Sequence, residues 1–580
     1  MKPKGETLPA ASSLRKAMEF PAVSFTAGVV FLALVSMYCV YPLLTHQAIP
    51  LGHDTLFHIF QADQFQEGIR SGSMYPRWAA DANNGYGSPN FIFYAPLTYY
   101  LVCFVHLWET SMILSMVFVI WAGYFLSGLT MFFAARKMFG NPGSLLSAVT
   151  YQILPFHVTD LYHRGTFAEL FAYPWLPLFF YFLVESRKSG DSRGSMAGLS
   201  LVYSGLILSH LVTGFIFTVI AGVYLLYGLS FQKEKKALLK TSFSLLVGYG
   251  ISAIYLGPAV LERKFVHIGV LLIGIYQYTG NFLFDFRGHL FELFYRLLNM
   301  TALLEASFFL LVVLLVKIFA AARLREEPTR FLILAFIVSF FLTTPASRPV
   351  WDLIPQFSFL QFPWRWIIVM ELSLCFLIAR AYSLDEVRYS RLAAFLKPYM
   401  VVLLVAFAQL PMQNIYDAAI SENDLIRLKE SNQWKNVLDE KPEYLPIWTT
   451  NPTSILTWTR GEAVEVMSGQ ASVRVAKWDP EERTVEVQAL SDTVIRIAML
   501  YYPGWEFTQD GENAGMDVEG RTGAVLVRVP RGTHTIRADF EDTRFRRASK
   551  FSSLISLLLL IPVTMLFGIW IDSKERNPPR

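Results

Sequence analysis

The chain has 580 residues, 53% of them hydrophobic and 17% charged, with 50 Lys and Arg against 46 Asp and Glu for a formal net charge of +4. That balance predicts a polytopic membrane protein with one soluble appendage, and so small a charge on so long a chain argues against nucleic acid as a partner. Cys39, Cys103 and Cys375 lie far apart in apolar stretches, which gives neither a disulfide framework nor a thiolate metal site.

The basic segment 1–20 precedes an apolar run from 21 to 44. The run is too long for a signal-peptide core and lacks a small-residue cleavage site, so it is read as a retained first span, with Lys2, Lys4, Arg15 and Lys16 in the cytoplasm. Further spans are predicted near 111–135, 143–157, 170–184, 196–210, 213–230, 240–257, 300–320, 330–345, 364–382, 395–411 and 551–572. FIFYAPLTYYLVCFVHLW, 91–108, is apolar enough to cross, but crossing would put the loops richest in Lys and Arg outside. It is therefore expected to lie along the outer surface, which leaves about twelve spans and both termini in the cytoplasm. SVRVAKW, RTVEVQAL, TVIRIAML, AVLVRV and HTIRADF then alternate polar and apolar residues, the period of strands. The predicted organisation is a transmembrane domain over 21–411 with outer loops 45–110, 158–169, 259–299 and 344–363, an extracytoplasmic β-sandwich-like domain over 412–549, and a final span and tail over 550–580.

LGHDTLFHIF, 51–60, places His53, Asp54 and His58 just beyond the first span. The simplest reading makes Asp54 the cap of a helix starting at Thr55, with His58 one turn on. TDLYHRGTFAEL, 159–170, brings Asp160, His163, Arg164 and Glu169 to the same face. Acids from two distant loops at one depth can hold a divalent cation or place a general base beside an electrophile, and spacing decides neither. Arg164, Arg263, Lys264, Arg287, Arg296, Arg348 and Arg365 fall outside, against the usual bias, and call for anions or structural carboxylates. In LQFPWRWI, 360–367, Arg365 sits in the first turn of a span between Trp364 and Trp366. It suits a lipid phosphate, or equally an arginine snorkelling in a tryptophan belt. His210 is expected to be structural, and Glu262 to pair with a neighbouring Arg or Lys.

GHDTLFH, MYPRW, NNGYGSP, FYAPLTYY, LYHRGTFAE, LQFPWRW, EYLP and YYPGW occur in that order. The set resembles a bacterial family of large membrane proteins related to the YfhO group, some labelled pyruvoyl-tetrahydropterin-synthase-related. Through it the chain resembles the GT-C glycosyltransferases, which include oligosaccharyltransferase catalytic subunits. The resemblance implies a mainly α, GT-C-like membrane domain that transfers a sugar, with inversion, on the outer face of the bacterial inner membrane. The donor would be a polyprenyl-phosphate sugar and the acceptor a glycan, lipid or protein, with membrane lipids around both. Asp54 falls at the position of the base or metal ligand, and Glu169 at that of the second acid, with Asp160 behind it. Arg365, with Arg164, Arg263 and Lys264, would hold the donor phosphate, and His53, His58, Asp160, His163 and Trp364 would line the substrate. No DxD or DNE triplet follows the Arg-Gly of YHRGTFAE. That departs from the metal-dependent oligosaccharyltransferase pattern, so the resemblance implies no certain cofactor, and a Mg or Mn ion on Asp54, His58 and Glu169 stays open. Two alternatives remain, a non-catalytic lipid or glycan transporter and a scaffold of cell-envelope assembly.

Overall fold

The computed structural model describes residues 24–186, 193–232, 235–285, 292–388, 418–431, 442–450 and 463–576, with isolated positions between 405 and 434. Helix α1 (Phe25–His46) starts where the Ser24 side chain accepts from the Ala27 N–H and ends at Gln47, whose φ of 48° turns the chain out. Strand β1 (Ala48–Pro50) and helix α2 (Thr55–Arg70) follow, then the nine-residue α3 (Leu97–Val105) within the disputed apolar segment. At 1.5 Å per residue α3 reaches only about 14 Å, too short to cross. Phe104, Leu107 and Trp108 at its end are exposed.

The helical body continues through α4 (Met112–Phe139), α5 (Asn141–Ile153), α6 (Trp175–Glu185), α7 (Arg193–Ser209), α8 (Leu211–Gln232), α9 (Lys235–Leu261), α10 (Leu293–Ala320), α11 (Thr329–Thr343) and α12 (Ile367–Ser383). Breaks fall where the sequence enforces them. Gly140, with φ of 89°, ends α4, and Pro155 separates α5 from a short turn of helix. Beyond α11 the chain bends by 93° at Thr344 into a second short helix. Among the described residues seven helices, or eight counting that bent pair, are long and apolar enough to cross a membrane. The predicted spans 143–157, 170–184 and 196–210 correspond to shorter helices, and 395–411 and Arg287 lie outside the described residues.

Strand β2 (Ala419–Ser421) pairs antiparallel with β1, and α13 (Glu422–Glu430) follows it. The start of the predicted soluble segment is thus woven into the first loop rather than into the β domain. That domain comprises β3 (Val464–Ser468), β4 (Ala471–Trp478), β5 (Glu482–Ala489), β6 (Thr493–Leu500), β7 (Trp505–Gln509), β8 (Glu512–Asn513), β9 (Met516–Val518), β10 (Ala524–Val529) and β11 (Gly532–Phe540). All pairings are antiparallel, in sheets of order β3-β6-β10-β9 and β4-β5-β11-β7-β8. Ile495, Ile497, Val525 and Val527 of one sheet share a buried core with Val485, Val487, Phe507 and Ile536 of the other.

Trp78, Tyr86, Ile92 and Phe93 of the first loop belong to that same core, with Trp78 against Trp505 and Phe540. The last helix, α14 (Arg544–Arg576), begins ahead of the predicted 550. It packs along α9 because Gly250 and Gly257 leave room for Ser556 and Ser549. Its other face exposes Leu554, Ile555, Leu558 and Ile561, an apolar stripe suited to lipid.

Candidate functional site

Two loops far apart in sequence are joined through their backbones. The His53 N–H donates to the His163 carbonyl at 3.1 Å and the Asp54 N–H to the Arg164 carbonyl at 2.8 Å. Glycines permit the approach. A Cβ on Gly52 would stand 2.7 Å from the Gly165 nitrogen, and one on Gly165, whose φ is +64°, would stand 2.1 Å from Thr55 Oγ1.

Asp54 occupies the N-cap position of α2, yet its side chain makes no capping hydrogen bond. Thr55 organises the turn instead, its Oγ1 accepting from the Gly52 N–H at 2.9 Å and donating to the Pro50 carbonyl at 2.8 Å. The simplest reading of the sequence therefore has the position right and the role wrong. The half-buried carboxylate is turned toward other groups, and its charge acts on Tyr94, His210 and Arg365.

Arg164 is buried and ion-paired twice, to Asp160 through Nη1 and to Glu169 through Nη2 at 2.7 Å. Its guanidinium also lies 4.6 Å from the centre of the Trp364 ring. Burial alone would raise the Glu169 carboxyl, but Arg164, with His210 and Arg365 behind it, overrides burial and holds it down to about 2. Burial pushes Asp160 up to about 8 against the pull of Arg164, and the Glu169 charge adds to the rise. One guanidinium thus stands between two carboxyls, and burial bears harder on Asp160 than on Glu169. Of the two that Arg164 faces, Glu169, 1% exposed, lies against that guanidinium, and Asp160 is fully buried beside it.

Arg365 differs. It lies in the tight turn Pro363–Trp366 ahead of α12, and its Nη1 donates to the Leu360 carbonyl at 2.8 Å and to Gln361 Oε1 at 3.4 Å. Among the described residues no carboxylate forms an ion pair with it, and its Nε has no hydrogen-bond partner. Such a buried cation is short of anion.

A cavity of about 470 Å³ opens beside this cluster, where Tyr94 and His210 form part of its wall. Phe93, Ile207, Phe215, Leu256 and Phe359 make it largely apolar, with Arg263 and Gln356 among its few polar groups. Burial lowers the His210 imidazole to about 4 although Glu169 opposes this, so it stands neutral at neutral pH.

The remaining predicted residues divide. Trp364 is the platform beneath Arg164, and Arg263 lines the cavity. Lys264 is exposed and lies 5.0 Å from the Phe265 ring, off the cavity wall. His53 is exposed and meets Phe294 edge-on at 4.9 Å, and His163 enters through its backbone carbonyl. His58 is buried, its Nδ1 2.9 Å from the Tyr99 hydroxyl. Among the described residues no group of three His, Cys, Asp or Glu side chains is arranged to hold a metal ion.

Sequence reasoning missed Tyr94, Tyr173 and Glu371. The Tyr173 hydroxyl lies 3.3 Å from Asp160 Oδ2 and 3.2 Å from Glu371 Oε2, beneath the cluster. A carboxylate inside an otherwise apolar run, Glu371 in VMELSLC, was the available signal.

Residues 91–419 match a family model described as 6-pyruvoyl-tetrahydropterin synthase related domain, membrane protein. No curated protein matches the sequence. Among solved structures, the chain is similar to the Archaeoglobus fulgidus oligosaccharyltransferase tethered with an acceptor peptide, at 14% identity and a TM-score of 0.43 over 72% of this chain and 58% of that one. It is also similar to ArnT from Cupriavidus metallidurans bound to undecaprenyl phosphate, at 13% identity and a TM-score of 0.42 over 72% and 74% of the two chains. The chain thus spans less than two thirds of the archaeal enzyme.

Proposed function

The chain belongs to the 6-pyruvoyl-tetrahydropterin synthase related family of membrane proteins, and on that footing we propose that it is a glycosyltransferase working at the outer face of the bacterial cytoplasmic membrane. The donor is a polyprenyl-phosphate sugar, and the acceptor carries a hydroxyl on a glycan, lipid or protein. Asp54 takes the proton of that hydroxyl as its oxygen attacks the anomeric carbon. The bond from that carbon to the phosphate oxygen breaks on the opposite side, which inverts the centre. Arg365 stabilises the charge gathering on the departing lipid phosphate. Arg263 meets the same headgroup from the cavity wall, and the apolar cavity houses the first isoprene units. No step needs a metal or a nucleotide.

What supports this reading is that Asp54, which makes no helix-capping bond, and Arg365, which pairs with no carboxylate among the described residues, act on each other through their charges, with Tyr94 and Leu360 of the cavity wall next to them. The test is turnover by the purified protein with polyprenyl-phosphate sugars and acceptors of each class. Asp54→Asn is expected to lower turnover on the order of 10²–10⁴-fold with donor binding intact, and full activity in that variant would remove Asp54 as the base. A second reading, transport without transfer, draws on two acidic residues buried within the spans, Glu305 and Glu371. It predicts donor or lipid binding and no transferred sugar in any acceptor assay.

A further inference from the structure

Glu305 on α10 and Glu371 on α12 are both fully buried. By helical rise they lie about 18 Å and about 12 Å inward from the outer starts of their spans at Leu293 and Pro363, well within a hydrocarbon layer about 30 Å thick. The transfer reaction proposed above uses neither. Among the described residues neither forms an ion pair, and nothing donates a hydrogen bond to either oxygen of Glu305. Glu371 Oε1 accepts from the His157 N–H at 3.3 Å, and its Oε2 lies 3.2 Å from the Tyr173 hydroxyl. The two carboxyls are near enough to act on each other, and Cys375, one turn beyond Glu371, feels both.

Two acids converge on one phenol. Tyr173 has a single O–H to donate, yet Asp160 Oδ2 and Glu371 Oε2 both lie within its reach. If both acids were ionised, one would face a lone pair. One proton on the pair removes the conflict, because the acid that carries it donates to the Tyr173 oxygen while the Tyr173 hydroxyl donates to the other. Glu305 presses the same demand, since an ionised carboxylate with no donor in such surroundings is strongly disfavoured. The other titratable groups facing the pair bring no positive charge. They are Tyr124 from α4, Tyr151 from α5 and Asp160 and Tyr173 from the second loop, while the His157 ring stacks on Tyr173 at 3.8 Å. A metal ion is poorly served, because no group of three ligating side chains is arranged for one among the described residues. A proton needs only one oxygen.

We propose that Glu305 and Glu371 form an intramembrane proton-binding site, joined by the Tyr173 hydroxyl to Asp160 and Arg164, so that proton occupancy in the membrane and ligand occupancy at the outer cluster are linked. Binding forms an O–H bond on one carboxyl, and release returns that proton to water. The site itself stands apart from the glycosyl-transfer reading, and only the link to an anionic ligand rests on it.

Infrared difference spectroscopy on the full chain in lipid nanodiscs, in light and heavy water, tests the site. A protonated-carboxyl band is expected at neutral pH, with part of it lost in Glu305→Gln and part in Glu371→Gln. Tyr173→Phe, which leaves both acids in place, is expected to keep the band and shift its frequency. Absence of the band from the wild type, or its survival unchanged in both glutamine variants, overturns the proposal. Its disappearance on adding sodium at constant pH also overturns it, in favour of a metal cation. A pH-indicator dye then reports proton uptake or release when undecaprenyl phosphate is added. A measurable change in wild type that is abolished in Glu371→Gln supports the link, and lipid binding with no proton change overturns it. If the band behaves as expected and undecaprenyl phosphate does not bind at all, the proton site survives while the link and the transferase reading fall.

Discussion

Two buried arginines on this molecule sit in opposite circumstances. Arg546 meets one carboxylate, Glu262, through Nε at 3.0 Å and Nη2 at 2.8 Å, and Nη2 also reaches the Pro503 carbonyl at 2.7 Å. Glu262 is completed by the Tyr502 hydroxyl at 3.1 Å and the Thr543 hydroxyl at 2.9 Å. Charge is balanced one to one and the donors match the acceptors. Arg164 meets two carboxyls, and a third, Glu371, waits behind Tyr173. The first arrangement is a clamp that ties α9, the β domain and α14 together. The second carries more acidic groups than cations, and that surplus obliges it to hold protons.

Breaking the clamp should produce the largest effect. Glu262→Ala strands the Arg546 charge in a dry interior and is expected to cost about 3–5 kcal/mol, read as a lowered thermal midpoint and early proteolysis of the β domain. Gly165→Ala should come next. Its Cβ would collide with Thr55 Oγ1 in a left-handed backbone, with strain on the order of 1–3 kcal/mol, and turnover should fall because Asp54 loses its register with Arg164.

The smallest effect sharpens the contrast through pH. The Asp160 carboxyl sits at about 8 in the folded protein against an ordinary 3.8, so between those values the folded chain binds the extra proton. Its contribution to stability is full below about pH 4 and is lost as pH rises toward 8. Asp160→Asn should flatten that decline in the thermal midpoint.

The alternating strands and most of the apolar helices were legible in the sequence, because period and composition report burial directly. Asp54 stands out in the sequence as a costly carboxylate at the end of a span, while its helix-start position argues for a cap that its side chain does not make. The state of Arg164 was not legible. Its neutralisation depends on Glu169 returning over it after a tight turn at Gly165, a matter of backbone geometry. The partner of Glu262 was sought nearby and lies on the last helix. Glu305 and Glu371 stand as acids in apolar runs of the sequence, but which neighbours they meet depends on how α10 and α12 pack, which the runs do not encode.

The central claim is that Arg365, and not the already neutralised Arg164, receives the phosphate of a lipid carrier. Titration of undecaprenyl phosphate into the protein in nanodiscs tests it directly. Arg365→Ala is expected to weaken binding by at least about tenfold, in keeping with about 1.5–3 kcal/mol for a charged hydrogen bond, while Asp54→Asn binds as tightly as the wild type or tighter. Unchanged affinity in Arg365→Ala would contradict the account.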